Sequence, residues 1–249
     1  VRELGVFASI PTRMNTSLVT PLSAEGLFEM LLPAPPATAV FDCDGTLWSK
    51  DTGYEFMLWS IAEGLVSRSA SDWIDARYRL YRAGQVSEIA MCGEMVQLYE
   101  GLREAEIRNA AAAFFRTQMA TAGFPVMRRL VSALRSSGTE LWAVSSTNNW
   151  VIEEGLRDYG FAPDRILAAQ VEVVEGTITS KLIDVPSDER KALALERAGV
   201  PKPEAVFGNS AHDAAMLAMA RRPFAVNPSP ELLVLAGRNG WPVFYPSPE

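Results

Sequence analysis

Three observations predict an α/β fold: a Rossmann-like, mostly parallel sheet with a helical segment spliced into it. Compact apolar runs recur at 37–41, 139–144, 205–207, 224–226 and 243–245, with helical stretches between most of them, as βαβ units require. From about Thr52 to Gly123 the pattern changes to amphipathic segments without strand-like alternation. Two β-rich runs, 167–174 and 177–183, are separated by Glu175-Gly176, which reads as a hairpin beside the main sheet.

Taken in order, an apolar helix candidate at 23–32 ends where Pro33-Ala-Pro-Pro36 breaks it and delivers the chain into the first strand. The helical insert follows, with its clearest segments at 71–83, 87–99 and 103–120. With no Ser/Gly linker and no repeat, the insert belongs inside one α/β domain. Residues 1–50 and 124–249 are expected to form the core and 51–123 a helical cap.

A net charge of -7 offers no basic footprint for nucleic acid or an anionic membrane, which leaves a small molecule as the expected partner. Cys43 and Cys92 are the only cysteines, too few for a disulfide scaffold, and a reducing cytoplasm fits them. No apolar run approaches the roughly 18 residues of a membrane span, and a soluble, unexported protein is the expectation. Met14 precedes a more protein-like segment, so residues 1–13 read as upstream sequence.

The chemistry-bearing segment is Phe41-Asp-Cys-Asp-Gly-Thr-Leu47. Asp42 and Asp44, two apart at the carboxyl end of a buried strand, point to one side, where open parallel sheets bind ligands. Two carboxylates there repel unless a cation lies between them or one is protonated. Gly45 permits a sharp turn, and Thr46 is expected to add a hydroxyl to the same crevice.

This segment resembles the first motif, Asp-x-Asp-x-Thr, of the haloacid dehalogenase superfamily. A second motif, a hydroxyl residue ending an apolar strand, is matched by Leu141-Trp-Ala-Val-Ser145, with Ser146 as an alternate. Lys191 in Ser187-Asp-Glu-Arg-Lys191 resembles the basic third motif, and Gly208-Asn-Ser-Ala-His-Asp213 the fourth. The order of the motifs, the hairpin and the insert are similar to the phosphoserine-phosphatase-like branch, whose members carry a helical cap at this position.

The resemblance implies a phosphatase acting on a small phosphomonoester. Asp42 would be the nucleophile forming an aspartyl-phosphate, and Asp44 the acid, then base. Gly45, Thr46, Ser145, Ser146 and Lys191 would bind phosphate, while Mg²⁺ would rest on Asp42, the Asp44 carbonyl, Asn209 and Asp213. A second acid suits an alkoxide leaving group, which needs a proton, better than a halide, which does not. A phosphotransferase would share the phosphoenzyme. Asn209 stands where most relatives carry an aspartate, which implies weaker metal binding and leaves room for a non-catalytic phospho-ligand-binding relative.

For the substrate, Asp51 matches an acid that faces an amino group in that branch, which implies an amine-bearing phosphomonoester; it equally reads as a helix cap. Trp48, Tyr54 and Trp59 suit an aromatic wall or the core. Arg77, Arg79 and Arg82 lie on one helix, where an inward-facing arginine, Arg77 first, would bind a carboxylate. His212, the single histidine, sits within the fourth motif, a position that suggests contact with a bound substrate, though a lone histidine equally reads as a surface or capping residue. Ser146-Thr-Asn-Asn149 replaces the small residue usual in true phosphoserine phosphatases, which argues against phosphoserine itself.

Overall fold

Every apolar run read as a strand is one in the computed structural model, which describes residues 20–247; the segment 1–13 lies outside the described residues. The strands are β1 Thr38–Phe41, β2 Glu140–Asn148, β3 Ile166–Val174, β4 Thr177–Asp184, β5 Ala205–Gly208, β6 Arg222–Val226 and β7 Val243–Phe244. They form one sheet in the order β4-β3-β2-β1-β5-β6-β7, parallel except for β4, which runs antiparallel to β3. The hairpin therefore continues the main sheet, with β3 paired in parallel to β2. Glu175 (φ 48°) and Gly176 (φ 75°) both take positive φ, the requirement of the tightest hairpin turn.

Helix α1 spans Ala24–Leu31, ahead of β1. Between β1 and β2 come α2 Thr52–Ala62, α3 Arg68–Arg82, α4 Glu88–Gln97 and α5 Glu104–Gln118, followed by α6 Pro125–Ser136. Helix α7 Asn149–Leu156 joins β2 to β3, α8 Glu189–Arg197 joins β4 to β5, and α9 Ala214–Ala218 and α10 Pro230–Asn239 follow β5 and β6. Ser23, Ser67 and Ser87 start α1, α3 and α4 by accepting a main-chain N–H, which satisfies a donor that the first turn leaves free.

Strand alternation sorts the core onto two faces. Ala39, Phe41, Leu141, Ala143 and Phe207 join one buried cluster, and Val40, Trp142, Val144 and Val206 the other. Phe41, Phe207 and Phe224 stack across β1, β5 and β6 at centroid separations of 4.5 and 5.0 Å. The first cluster continues into the insert through Phe56, Ile74, Met91, Tyr99 and Phe114, all buried. Arg103, just before α5, donates to Glu175 O at 2.8 Å and Thr177 Oγ1 at 2.9 Å, and Gly101 and Leu102 pair with Ile178, so the hairpin clasps the insert. No helix among the described residues is long and apolar enough to cross a membrane.

Candidate active site

The main-chain N–H of Asp42 donates to Phe207 O at 2.9 Å, extending the β1–β5 ladder by one residue before the chain turns. The turn needs Gly45, whose φ is +77°; a Cβ there would also lie 1.9 Å from Asn209 Nδ2. A cavity of about 430 Å³ opens beyond it, lined from the core by Asp42, Asp44, Gly45, Ser146, Thr147, Lys191, Asn209 and His212.

Asp42 is buried and held by two donors. Lys191 Nζ reaches its Oδ1 at 2.7 Å, and Thr46 Oγ1 its Oδ2 at 2.9 Å. Lys191 also donates to Asp213 Oδ1 at 2.6 Å, while Asp213 Oδ2 accepts the main-chain N–H groups of Asn209 and Ser210, each at 2.9 Å. The Asp42 carboxyl is pushed up to about 7 by burial first and the Asp213 charge second, with Lys191 opposing. Burial pulls the Lys191 ammonium down, but the Asp213 and Asp42 charges outweigh it and hold the group charged, above its usual range.

Asp44 is fixed from both sides of the cavity. Its Oδ1 accepts from Trp48 Nε1 at 2.6 Å, from Thr52 Oγ1 at 2.6 Å and from Thr52 N at 3.0 Å; its Oδ2 accepts from Thr147 Oγ1 at 2.8 Å. Thr147 was not foreseen because the second strand was expected to end at Val144, whereas β2 runs on to Asn148.

Several expected site residues lie elsewhere. Thr46 is fully buried, and its hydroxyl faces Asp42 rather than the cavity, because the Gly45 turn folds it back under the strand end. Ser145 is also buried and absent from the cavity lining; its Oγ accepts the Thr147 N–H at 3.2 Å, and strand alternation turns Ser146 to the cavity instead. Asp213 stands behind the lining as the partner of Lys191. Trp48 is 2% exposed, packs on Phe115 and touches the site only through its indole N–H. Arg77 is taken by a two-point pair with Glu94, at 2.8 and 2.6 Å, and Trp59 stacks on Phe56.

The insert supplies the other wall, with Asp51, Tyr54, Tyr78, Tyr81, Arg82 and Glu88. Asp51 caps α2 by accepting the Tyr54 N–H at 2.9 Å. Its own surface is open at the mouth, yet the surrounding walls remove much of its water; that burial, then the Asp44 charge, pushes its carboxyl up to about 6. His212 Nδ1 lies 2.6 Å from Asp188 Oδ1. Tyr54 lines the cavity as the aromatic-wall reading expected, whereas Glu88, Tyr78 and Tyr81 gave no sequence signal beyond helix-start and helix-face positions.

The donor set suits a hard cation. Asp42, Asp44 and Asp213 bring three carboxylates against one ammonium, so the strand end carries surplus negative charge. Among the described residues no three His, Cys, Asp or Glu side chains converge as a metal cage, and a cation would rest partly on main-chain and amide oxygens and on water.

A strand-end carboxylate braced by a buried lysine, with a second carboxylate beside it, thus forms the floor of the cavity. The family model of haloacid dehalogenase-like hydrolases matches residues 39–218, and the chain belongs to that family. It is 26% identical over 216 residues to a histidinol-phosphatase of Neisseria meningitidis serogroup C (strain 8013), a match that covers 82% of this chain and 96% of the relative. Its fold is similar to that of a Bordetella pertussis Tohama I protein of unknown function, with TM-score 0.75 and 22% identity over 83% of this chain and 97% of the other. A phosphoserine phosphatase solved as a phospho-aspartyl intermediate analogue matches with TM-score 0.57 and 16% identity, over 86% of this chain and 95% of that one.

Proposed function

We propose that the chain is a phosphatase of small phosphomonoesters that forms an aspartyl-phosphate on Asp42. The observation that carries this reading is the placement of Asp42 and Asp44 side by side at the cavity floor, with Lys191 2.7 Å from Asp42. Family membership and the phosphatase named among the relatives support it.

In this reading Asp42 attacks phosphorus in line, the phosphorus–oxygen bond to the alcohol breaks, and Asp44 gives its proton to the departing alkoxide. Asp44 then takes a proton from the water that attacks the aspartyl-phosphate, releasing phosphate and restoring the carboxylate. Lys191 holds a phosphoryl oxygen together with Ser146 and the Gly45 turn, while Thr46 and Ser145 brace the loops from behind. Mg²⁺ would be held by Asp42, the Asp44 carbonyl and Asn209, with Asp213 fixing that loop, and would supply charge neutralisation at the phosphoryl group. Residues 51–123 act as the cap that closes over the core formed by the rest, and the amide at Asn209 implies a higher metal requirement than a carboxylate would.

The test is phosphate release from a panel of phosphomonoesters, with and without Mg²⁺, beside Asp42→Asn. Metal-dependent release that disappears in the variant is expected. Release that survives in folded Asp42→Asn would overturn the nucleophile assignment, and no release from any ester would favour a ligand-binding role.

A further inference from the structure

Trp48 stands between two cavities. Its indole N–H donates to Asp44 Oδ1 at 2.6 Å, on the floor of the first, and its ring lines a second, of about 260 Å³, together with Phe115, Met119 and Tyr159. The ring meets Phe115 edge-on at 5.9 Å and Tyr159 at 6.4 Å. Gly155 of α7 lets Trp48 and Phe115 approach, since a Cβ there would lie 2.6 Å from Phe115 Cζ and 2.9 Å from Trp48 Cη2. The second cavity sits where the insert leaves and rejoins the core. Ser49 N–H donates to Ala122 O at 2.9 Å and Phe124 N–H to Leu47 O at 3.0 Å, which pairs the two connecting segments, and Gly123 lines the cavity beside them.

The rim carries Arg116, Arg128 and Arg157 against Glu154 and Asp158, a local positive surplus in a chain of net charge -7. Arg157 pairs with Glu154. Arg116 is exposed and has no carboxylate partner among the described residues; Arg128 has none either and lies over the Tyr159 ring, 4.5 Å from its centroid. A guanidinium stacked on a ring keeps its in-plane N–H donors free for a planar acceptor. Two such forks above an apolar floor are complementary to a flat apolar body that ends in a carboxylate. The volume, at the small end for ligand sites, limits that body to about one or two fused rings. Asp158, without a cation partner among the described residues, repels a second negative charge, which favours a monoanion.

We propose that this second cavity is a regulatory site for a small aromatic carboxylate, whose ring rests on Trp48, Phe115 and Tyr159 and whose carboxylate is taken by Arg116 and Arg128. The bound ring wedges between the returning segment at Met119 to Gly123 and α7 at Gly155, holds the two connecting segments together and fixes Trp48 against Asp44. Movement of the insert during turnover is then slowed, and the occupant acts as a brake. The effect on rate rests on the phosphatase reading; the binding does not.

Calorimetry of the full chain with naphthalene-2-carboxylate and with naphthalene-2-carboxamide tests the site, because the probes differ only in the charged group. It is run without and with saturating inorganic phosphate and Mg²⁺, which occupy the first cavity. The carboxylate is expected to bind at least about tenfold more tightly than the amide, the size of one charge-assisted hydrogen bond, in both conditions. Arg116→Gln and Arg128→Gln should each cut that preference severalfold. Saturating carboxylate should lower kcat for phosphate release at least about fivefold with KM little changed, the size of a small coupling between sites. Arg116→Gln should raise the concentration needed in step with its weaker binding. Equal binding of both probes, a preference unchanged in both folded variants, or binding displaced by phosphate overturns the site. Tight binding with kcat unchanged or raised overturns the brake alone. No phosphate release from any ester overturns the phosphatase reading and the brake with it, while the calorimetry still decides the site.

Discussion

Lys191→Met removes the one cation between Asp42 and Asp213 while keeping a side chain of similar length. In the wild type the ammonium lies 2.7 Å from one carboxylate and 2.6 Å from the other, with the three side chains 3%, 6% and 0% exposed. Breaking a buried ion pair from one side costs about 3–5 kcal/mol, because the remaining charges stay desolvated and unpaired. For a chain of this size each kcal/mol moves the melting temperature by about 2–4 °C, so a drop of roughly 6–20 °C is expected. Thermal unfolding followed by circular dichroism at pH 8 without metal measures it. The drop should shrink at pH 6, where one carboxyl takes up a proton and the repulsion is relieved. Phosphate release should fall about 10²-fold or more, as for loss of one donor to a developing phosphoryl charge. A melting temperature within about 2 °C of the wild type at pH 8 would refute the triad as the support of this site.

Thr147→Val removes the hydroxyl that donates to Asp44 at 2.8 Å; kcat is expected to fall about tenfold with KM little changed and Thr147→Ser restoring most of it, and a changed KM with constant kcat would contradict a positioning role. Asn209→Asp returns a carboxylate to the loop beside Gly45, so the Mg²⁺ concentration for half-maximal phosphate release should fall; no change would remove Asn209 from the metal shell. The Asp51 carboxyl is raised from its ordinary 3.8 to about 6, so the folded chain binds this proton more tightly than the unfolded chain does. Its contribution to stability is therefore full at low pH and falls as pH rises through about 4 to 6. Asp51→Asn keeps the α2 cap and should lose that component of the slope in denaturant titrations, whereas an unchanged slope would place the titration elsewhere.

The scaffold was legible because burial imposes period on sequence. Val40 and Phe41 fall on opposite faces of β1, and each apolar run is long enough to cross the sheet once. Asp42 and Asp44 were legible because two acids at a buried strand end need a partner, whereas Lys191 was legible only through its resemblance to the third motif, since a lysine opening a helix reads by itself as a solvated charge. What escaped was set by direction rather than residue type. Thr46 and Ser145 carry hydroxyls at the expected places, yet the turn and the strand alternation aim them behind the cavity. Arg77 was as plausible a ligand as Arg82 until Glu94, seventeen residues on in the next helix, took its guanidinium. Glu88 and Tyr81 meet only because α3 and α4 fold together, and nothing local marks them.

The donors on Asp44 define what the insert contributes beyond enclosure. Thr147 belongs to β2 of the core, but Thr52 opens α2 and presents both its hydroxyl and its main-chain N–H to the same carboxylate oxygen. Trp48, in the segment that leads from β1 into α2, adds a third donor to that oxygen, and its ring is wedged between Phe115 of α5 and Tyr159 of the core. A side-chain carboxylate fixed at both oxygens has no free rotamer, so the direction in which Asp44 faces is decided jointly by the core strand and the first turn of the insert. Asp51, the N-cap of α2, and Tyr54, in its first turn, line the cavity from the same short segment as Thr52. A displacement of α2 would therefore move the Asp44 carboxylate and the insert's wall of the cavity together, so that under the proposed mechanism enclosure of the substrate and proton transfer would share one mechanical element.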